Sequence, residues 1–159
     1  MALNCHPRFG WASYLVFPAG SGNLECATRQ AENGVKIYIL FSEQTRAALV
    51  DVANYISGHK LAKAGVEVLR YTHHYMHAKS IWNNRGDIIF GSANMDVKSL
   101  SSNFECCLRL RHEGLAGELH QVFEVDRRQC WLQTSQTLHQ RSWSGLAASY
   151  LCLSLGAWL

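Results

Sequence analysis

The chain has 159 residues, 48% of them apolar and 17% charged, with a formal net charge of +3. A chain of this size and composition builds one ordinary hydrophobic core, which excludes a multidomain assembly. Residues 1–126 carry 12 basic and 12 acidic side chains, while residues 127–159 add Arg127, Arg128 and Arg141 and no acid. A neutral body of this kind lacks the basic stripe of a dedicated nucleic-acid binder.

The six cysteines, Cys5, Cys26, Cys106, Cys107, Cys130 and Cys152, form no C-x-x-C pair. They read as reduced, small apolar residues of a cytoplasmic chain. No export signal is recognisable, and no apolar run reaches the roughly 20 residues of a bilayer span.

In chain order, residues 11–17 (WASYLVF) read as a short buried strand closed by Pro18-Ala19-Gly20. A helix follows around 24–33, with Leu24, Ala27 and Ala31 at helical spacing and Asn33-Gly34 as its stop. Residues 35–41 (VKIYILF) are a strand rich in β-branched and aromatic side chains, completing a β-α-β unit. Ser42 is placed to cap a second helix carrying Ala47, Leu49, Val50, Ala53 and Ile56. That helix is expected to break near Gly58 and resume over 61–64. Strands are expected at 66–71, about 79–82, 88–90 and 104–110, and an amphipathic helix carries Leu115, Leu119, Val122 and Phe123. The pattern indicates an α/β fold with a mixed, largely parallel sheet flanked by helices. Residues 1–128 form the body, and residues 129–159 read as an appendage in which Trp143, Trp158 and Arg141 suit a membrane interface.

One dense chemical constellation stands out. His77 and Lys79 are two apart, and on extended backbone they project to the same side. Ser92 and Asn94 follow the neighbouring strand, Gly91 permits close backbone approach, and Glu105 is on a strand that can run alongside. An imidazole, a fixed cation, a hydroxyl and an amide are the parts needed to hold a phosphate and attack its phosphorus. A buried carboxylate, here Glu105, suits the task of orienting a neutral nucleophilic imidazole. His73 and His77 are four apart, but the segment reads as strand and loop, so no metal is expected.

The run HAKSIWNNRGDIIFGSAN resembles the phospholipase D superfamily motif His-x-Lys-x4-Asp-x6-Gly-Ser-x-Asn. The continuation through Met95, Asp96, Val97, Lys98, Ser99 and Leu100 to Asn103, Phe104 and Glu105 is similar to the second catalytic half of bacterial cardiolipin synthases. The resemblance implies a phospholipase D-like fold and nucleophilic attack by His77. It also implies phosphate contacts from Lys79, Ser92 and Asn94, with support from Gly91, Asp96 and the residue at 84. That residue is Asn84 where the motif has Asp.

The implied chemistry uses no metal or other cofactor. It uses two such motifs, and this chain holds one, so the resemblance implies a homodimer or a complementary motif-bearing chain. The implied substrate is a phospholipid of the phosphatidylglycerol type, met at the cytoplasmic face of the cell membrane by peripheral contact. A phospholipase D-type nuclease and a catalytically silent half-domain are the alternatives, nucleic acid being the less expected partner of this neutral body.

Overall fold

A computed structural model describes residues 11–14, 21–43, 48–93 and 102–137. The β-branched and aromatic run seen in the sequence forms strand β2 (Ile37–Ser42), in which every residue but Tyr38 is buried. Burial on both faces is what a parallel strand covered by helices requires. Its parallel neighbours are β1 (Trp11–Tyr14) and β3 (Glu67–Tyr71).

Alternation along β2 divides the core into two. Ile37, Ile39 and Phe41 meet Val68 and Leu61 on one face, where Ala27 and Ala31 of α1 (Ser21–Glu32) also pack. Leu61 belongs to α2 (Ala48–Lys63), so both crossover helices cover the same face. Leu40 joins Leu69, Tyr71, Trp82 and Ile88 on the other face, around Ala116 and Phe123 of α3 (Glu113–Arg127).

Beyond β1 the sheet continues through β4 (Ser80–Trp82), β5 (Asp87–Gly91) and β6 (Cys107–Arg111), all antiparallel to their neighbours. At the opposite edge β7 (Cys130–Gln133) pairs antiparallel with β3. The strand order is β6-β5-β4-β1-β2-β3-β7. The α/β class and the mixed sheet are as expected. Parallel pairing, however, is confined to β1–β2–β3, where helical crossovers join strands that are neighbours in the sheet.

Four local expectations change. Ser42 ends β2 instead of capping a helix. Helix α2 runs unbroken through Gly58, and Asn54, Tyr55, Ser57 and Leu61 are buried along it. Residues 130–133, read as the start of an appendage, add a strand to the sheet; residues 138–159, with Arg141, Trp143 and Trp158, lie outside the described residues. Cys26 is disulfide-bonded, against the expectation of six reduced thiols, while Cys106, Cys107 and Cys130 are free. Spacing alone does not reveal which cysteines pair. Burial beside the Asp126 carboxylate pushes the Cys130 thiol up to about 12, so it stays protonated at neutral pH.

The glycine within α2 has a tertiary cause. Arg70 of β3 is fully buried beneath α2. Its Nε donates to Gln133 Oε1 at 2.6 Å and its Nη2 donates to the Asn54 carbonyl at 2.8 Å. The guanidinium carbon lies 4.1 Å from the Tyr55 ring centroid and 4.7 Å from that of Phe41. Gln133 Nε2 donates to the Tyr55 carbonyl at 2.9 Å, closing the circuit from β7 to α2. A side chain at Gly58 would meet this group, since its Cβ would lie 2.7 Å from Gln133 Oε1 and 2.9 Å from Arg70 Nη2.

Replacing Gln133 by Leu removes an acceptor from a buried cation. Urea denaturation of Gln133→Leu should show a loss of about 3 kcal/mol. A loss below about 1 kcal/mol would mean that the circuit does not hold β7 and α2 to β3.

Candidate functional site

At the carboxyl ends of the three parallel strands Tyr14 is opposite Leu40, and Ser42 is opposite Tyr71. Tyr14 is opposite Ser80, Ser80 opposite Phe90, and Gly91 opposite Cys107. The start of β4, the end of β5 and the start of β6 therefore all reach the carboxyl ends of β1–β3. Ligands of open α/β sheets bind at that edge, where the strand direction changes. Segments 77–79, 91–93 and 105–106 meet there, although His77, Ser92 and Glu105 are 13 to 28 positions apart in the sequence.

His77-Ala78-Lys79 is extended backbone leading into β4 and lies outside the strand itself. The His77 imidazole is exposed, with the Tyr75 ring 5.7 Å away at an interplanar angle of 34°. Lys79 Nζ donates to the His77 carbonyl at 3.0 Å, and the Lys79 carbonyl accepts from the Gly91 N–H at 3.2 Å. One residue before His77, the Met76 N–H donates to Ser42 Oγ at 2.8 Å. The Met76 side chain packs against the core on the α3 face.

Ser92 is held from three directions. Its N–H donates to the Cys106 carbonyl at 3.0 Å, and its Oγ accepts from the Cys106 N–H at 2.9 Å. The hydroxyl proton goes to Glu105 Oε2 at 2.5 Å, and Asn103 Nδ2 donates to Glu105 Oε1 at 3.4 Å. Glu105 thus acts on Ser92 directly. An ionised carboxylate only accepts, so the Ser92 proton is directed at Glu105.

Gly91 has a different reason from the one its sequence position suggested. A Cβ there would lie 2.2 Å from the Cys106 carbonyl oxygen and 2.7 Å from Cys107 Cα. The missing side chain lets β6 close onto β5, which delivers Cys106 and Glu105 to Ser92.

Asn84 lies apart from this cluster. It is exposed on the turn joining β4 to β5, at the end of the hairpin away from Lys79 and Ser92. The buried Asn83 organises that turn: its Oδ1 accepts from the N–H groups of Arg85 and Asp87 at 2.8 and 3.1 Å, and its Nδ2 donates to Asp87 Oδ2 at 3.1 Å. Asp87 therefore supports the turn. The Gly86 carbonyl accepts from the His112 N–H at 2.8 Å, docking the turn against the start of α3. Asn94 and Asp96 lie outside the described residues.

His73 and His74 are exposed, with ring centroids 4.1 Å apart. Among the described residues, no group of three or more His, Cys, Asp or Glu side chains is placed to hold a metal ion. Among the same residues, no helix is long and apolar enough to cross a membrane.

Sequence reasoning missed Ser42, Tyr75, Asn83 and Asn103. The Asn83-x-x-Gly86 spacing between two strands carried a turn signal for the third of these. Ser42 gave none, because its partner is 34 residues away.

Gly91→Ala should separate the β5 and β6 ends. Hydrogen exchange should then be at least about tenfold faster at the Ser92 and Cys106 amides, with the β2 amides unaffected. Unchanged exchange at both positions would contradict this account of Gly91.

Residues 20–127 match the family described as cardiolipin synthase, PLD-like domain. Cardiolipin synthase A of Pseudomonas aeruginosa is 32% identical over 93 residues, covering 58% of this chain and 19% of that protein. Cardiolipin synthase 1 of Staphylococcus epidermidis is 29% identical over 111 residues, covering 70% of this chain and 23% of that protein. The chain therefore spans only a minor part of the curated relatives it matches. Among solved structures, the phospholipase D family member Nuc from Salmonella typhimurium has a TM-score of 0.69 at 14% identity, covering 83% of this chain and 85% of that one. Phosphatidylserine synthase from Haemophilus influenzae has a TM-score of 0.67 at 12% identity, covering 96% of this chain and 40% of that one. Likeness at such identities is likeness of fold. The family match, which takes in His77, Lys79, Ser92 and Glu105, settles membership: the chain belongs to the phospholipase D-like family of cardiolipin synthase domains.

Proposed function

We propose that this chain supplies one half of a phosphatidyl-transfer site of the cardiolipin synthase type, acting on the phosphodiester of a phospholipid such as phosphatidylglycerol. The observation that carries the reading is the meeting of His77, Lys79, Ser92 and Glu105 on three chain segments at the carboxyl edge of the parallel strands. Family membership and the names of the cardiolipin synthase relatives support the lipid substrate.

In this reading a nitrogen of His77 attacks phosphorus, forming a P–N bond as the bond to the departing glycerol oxygen breaks. A second histidine, on another copy of the chain or on a complementary motif-bearing chain, gives its proton to that alkoxide. It then takes a proton from the incoming alcohol or water, whose oxygen displaces His77 from phosphorus. Lys79 offsets charge on the non-bridging oxygens, with Ser92 and Asn94 as further phosphate contacts. Glu105 holds Ser92 in place until phosphate arrives, and Asp96 and Gly91 support the loop and strand end. Asn84, remote from the cluster, takes no part in the transfer. No metal or other cofactor enters these steps.

Two histidines acting on one phosphorus call for a homodimer or a paired chain, with an isologous two-fold contact as the simplest solution. The protein works as a peripheral protein at the cytoplasmic face of the membrane. With phosphatidylglycerol vesicles as substrate, His77→Ala should lower turnover by about 10³-fold or more. Full turnover by that variant would remove His77 from the mechanism. Salt-sensitive affinity for DNA without lipid turnover would transfer the same site to nucleic acid phosphodiesters.

A further inference from the structure

We infer that Ser42 is a positioning residue for His77. The inference rests on reading His77 as the nucleophile, and its starting point is topological. Strands β3 and β4 follow each other in sequence but are separated in the sheet by β2 and β1. At about 4.8 Å per strand, the connection must cross roughly 14 Å over the carboxyl ends of those two strands. Residues 72–79 make this crossing without regular secondary structure, and His77 is on it.

A segment without helix or ladder bonds has to find other partners for its backbone. At the β3 side, Thr72 is tied by its N–H and Oγ1 to the Gln129 carbonyl at 3.4 and 2.9 Å. At the β4 side, the Lys79 carbonyl accepts from Gly91. Between these two anchors the chain meets the end of β2, where Ser42 is only 4% exposed. Its hydroxyl accepts from the Met76 N–H at 2.8 Å.

That bond joins an inner strand to the residue immediately before His77. The neighbouring Met76 side chain enters the core beside Leu40 and Tyr71, so backbone and side chain are fixed together. Tyr75, on the other side of Met76, lies against the imidazole. Ser42 therefore sets where the His77 backbone stands.

Ser42→Ala removes the acceptor and leaves the fold of β2 to its apolar neighbours. Three readings should move together: Met76 amide exchange at least about tenfold faster, a broadened or doubled His77 imidazole Cε1–H resonance, and kcat on phosphatidylglycerol vesicles about 10- to 100-fold lower at a KM within about twofold. Ser42→Thr, which keeps the hydroxyl, should restore all three towards their original values. The first two readings do not depend on turnover, so they stand even if His77→Ala proves that His77 is not the nucleophile. Unchanged Met76 exchange and an unchanged His77 resonance in Ser42→Ala would overturn the inference. So would altered spectra with kcat unchanged, provided His77→Ala is inactive.

Discussion

The closeness of β5 and β6 at Gly91 is the constraint on which the site depends. A Cβ at this position would lie 2.2 Å from a backbone carbonyl oxygen, a separation that no rotamer change relieves. With hydrogen in its place, the Cys106 carbonyl and N–H both reach Ser92, and the next residue back, Glu105, receives the Ser92 proton. The same glycine bonds through its N–H to Lys79, so its neighbours on both sides belong to the site. One missing side chain thus brings together groups that the sequence separates.

The rest of the molecule provides a stiff base for this edge. Arg70, Gln133, Asn54 and the glycine at 58 clamp α2 and β7 to β3, at the far side of the sheet from β6. Helix α3 covers the opposite face and docks at its start against the β4–β5 turn. The connection bearing His77 then crosses the carboxyl ends of β2 and β1 under the control of Ser42.

Much of this was legible from residues alone, for identifiable reasons. Periodicity separated strand from helix because the two core faces alternate along β2 and recur along α3. The motif was legible because its spacing matches two antiparallel strands joined by a short turn. Other features were hidden by tertiary partners. Gly58 reads as a helix breaker until Arg70 and Gln133 are seen against it. Glu105 was read as a partner of the imidazole because a carboxylate suits it, and its bond to Ser92 was hidden because 13 residues separate the two. Asn84 is exposed on a turn that Asn83 and Asp87 build, which spacing did not show.

The chemistry proposed for this chain is that of half a centre: a nucleophile, a cation and a tethered hydroxyl, with a second acid–base group supplied by another chain. Covalent capture tests it most directly. The protein is mixed with phosphatidylglycerol labelled in its phosphate, quenched in alkaline denaturant that preserves a P–N bond, and mapped by peptide mass spectrometry. The account predicts a phosphatidyl adduct on His77 and none on His73 or His74, disappearing on addition of an acceptor alcohol. Label on another residue, or turnover with no adduct on His77 under any quench, would contradict it.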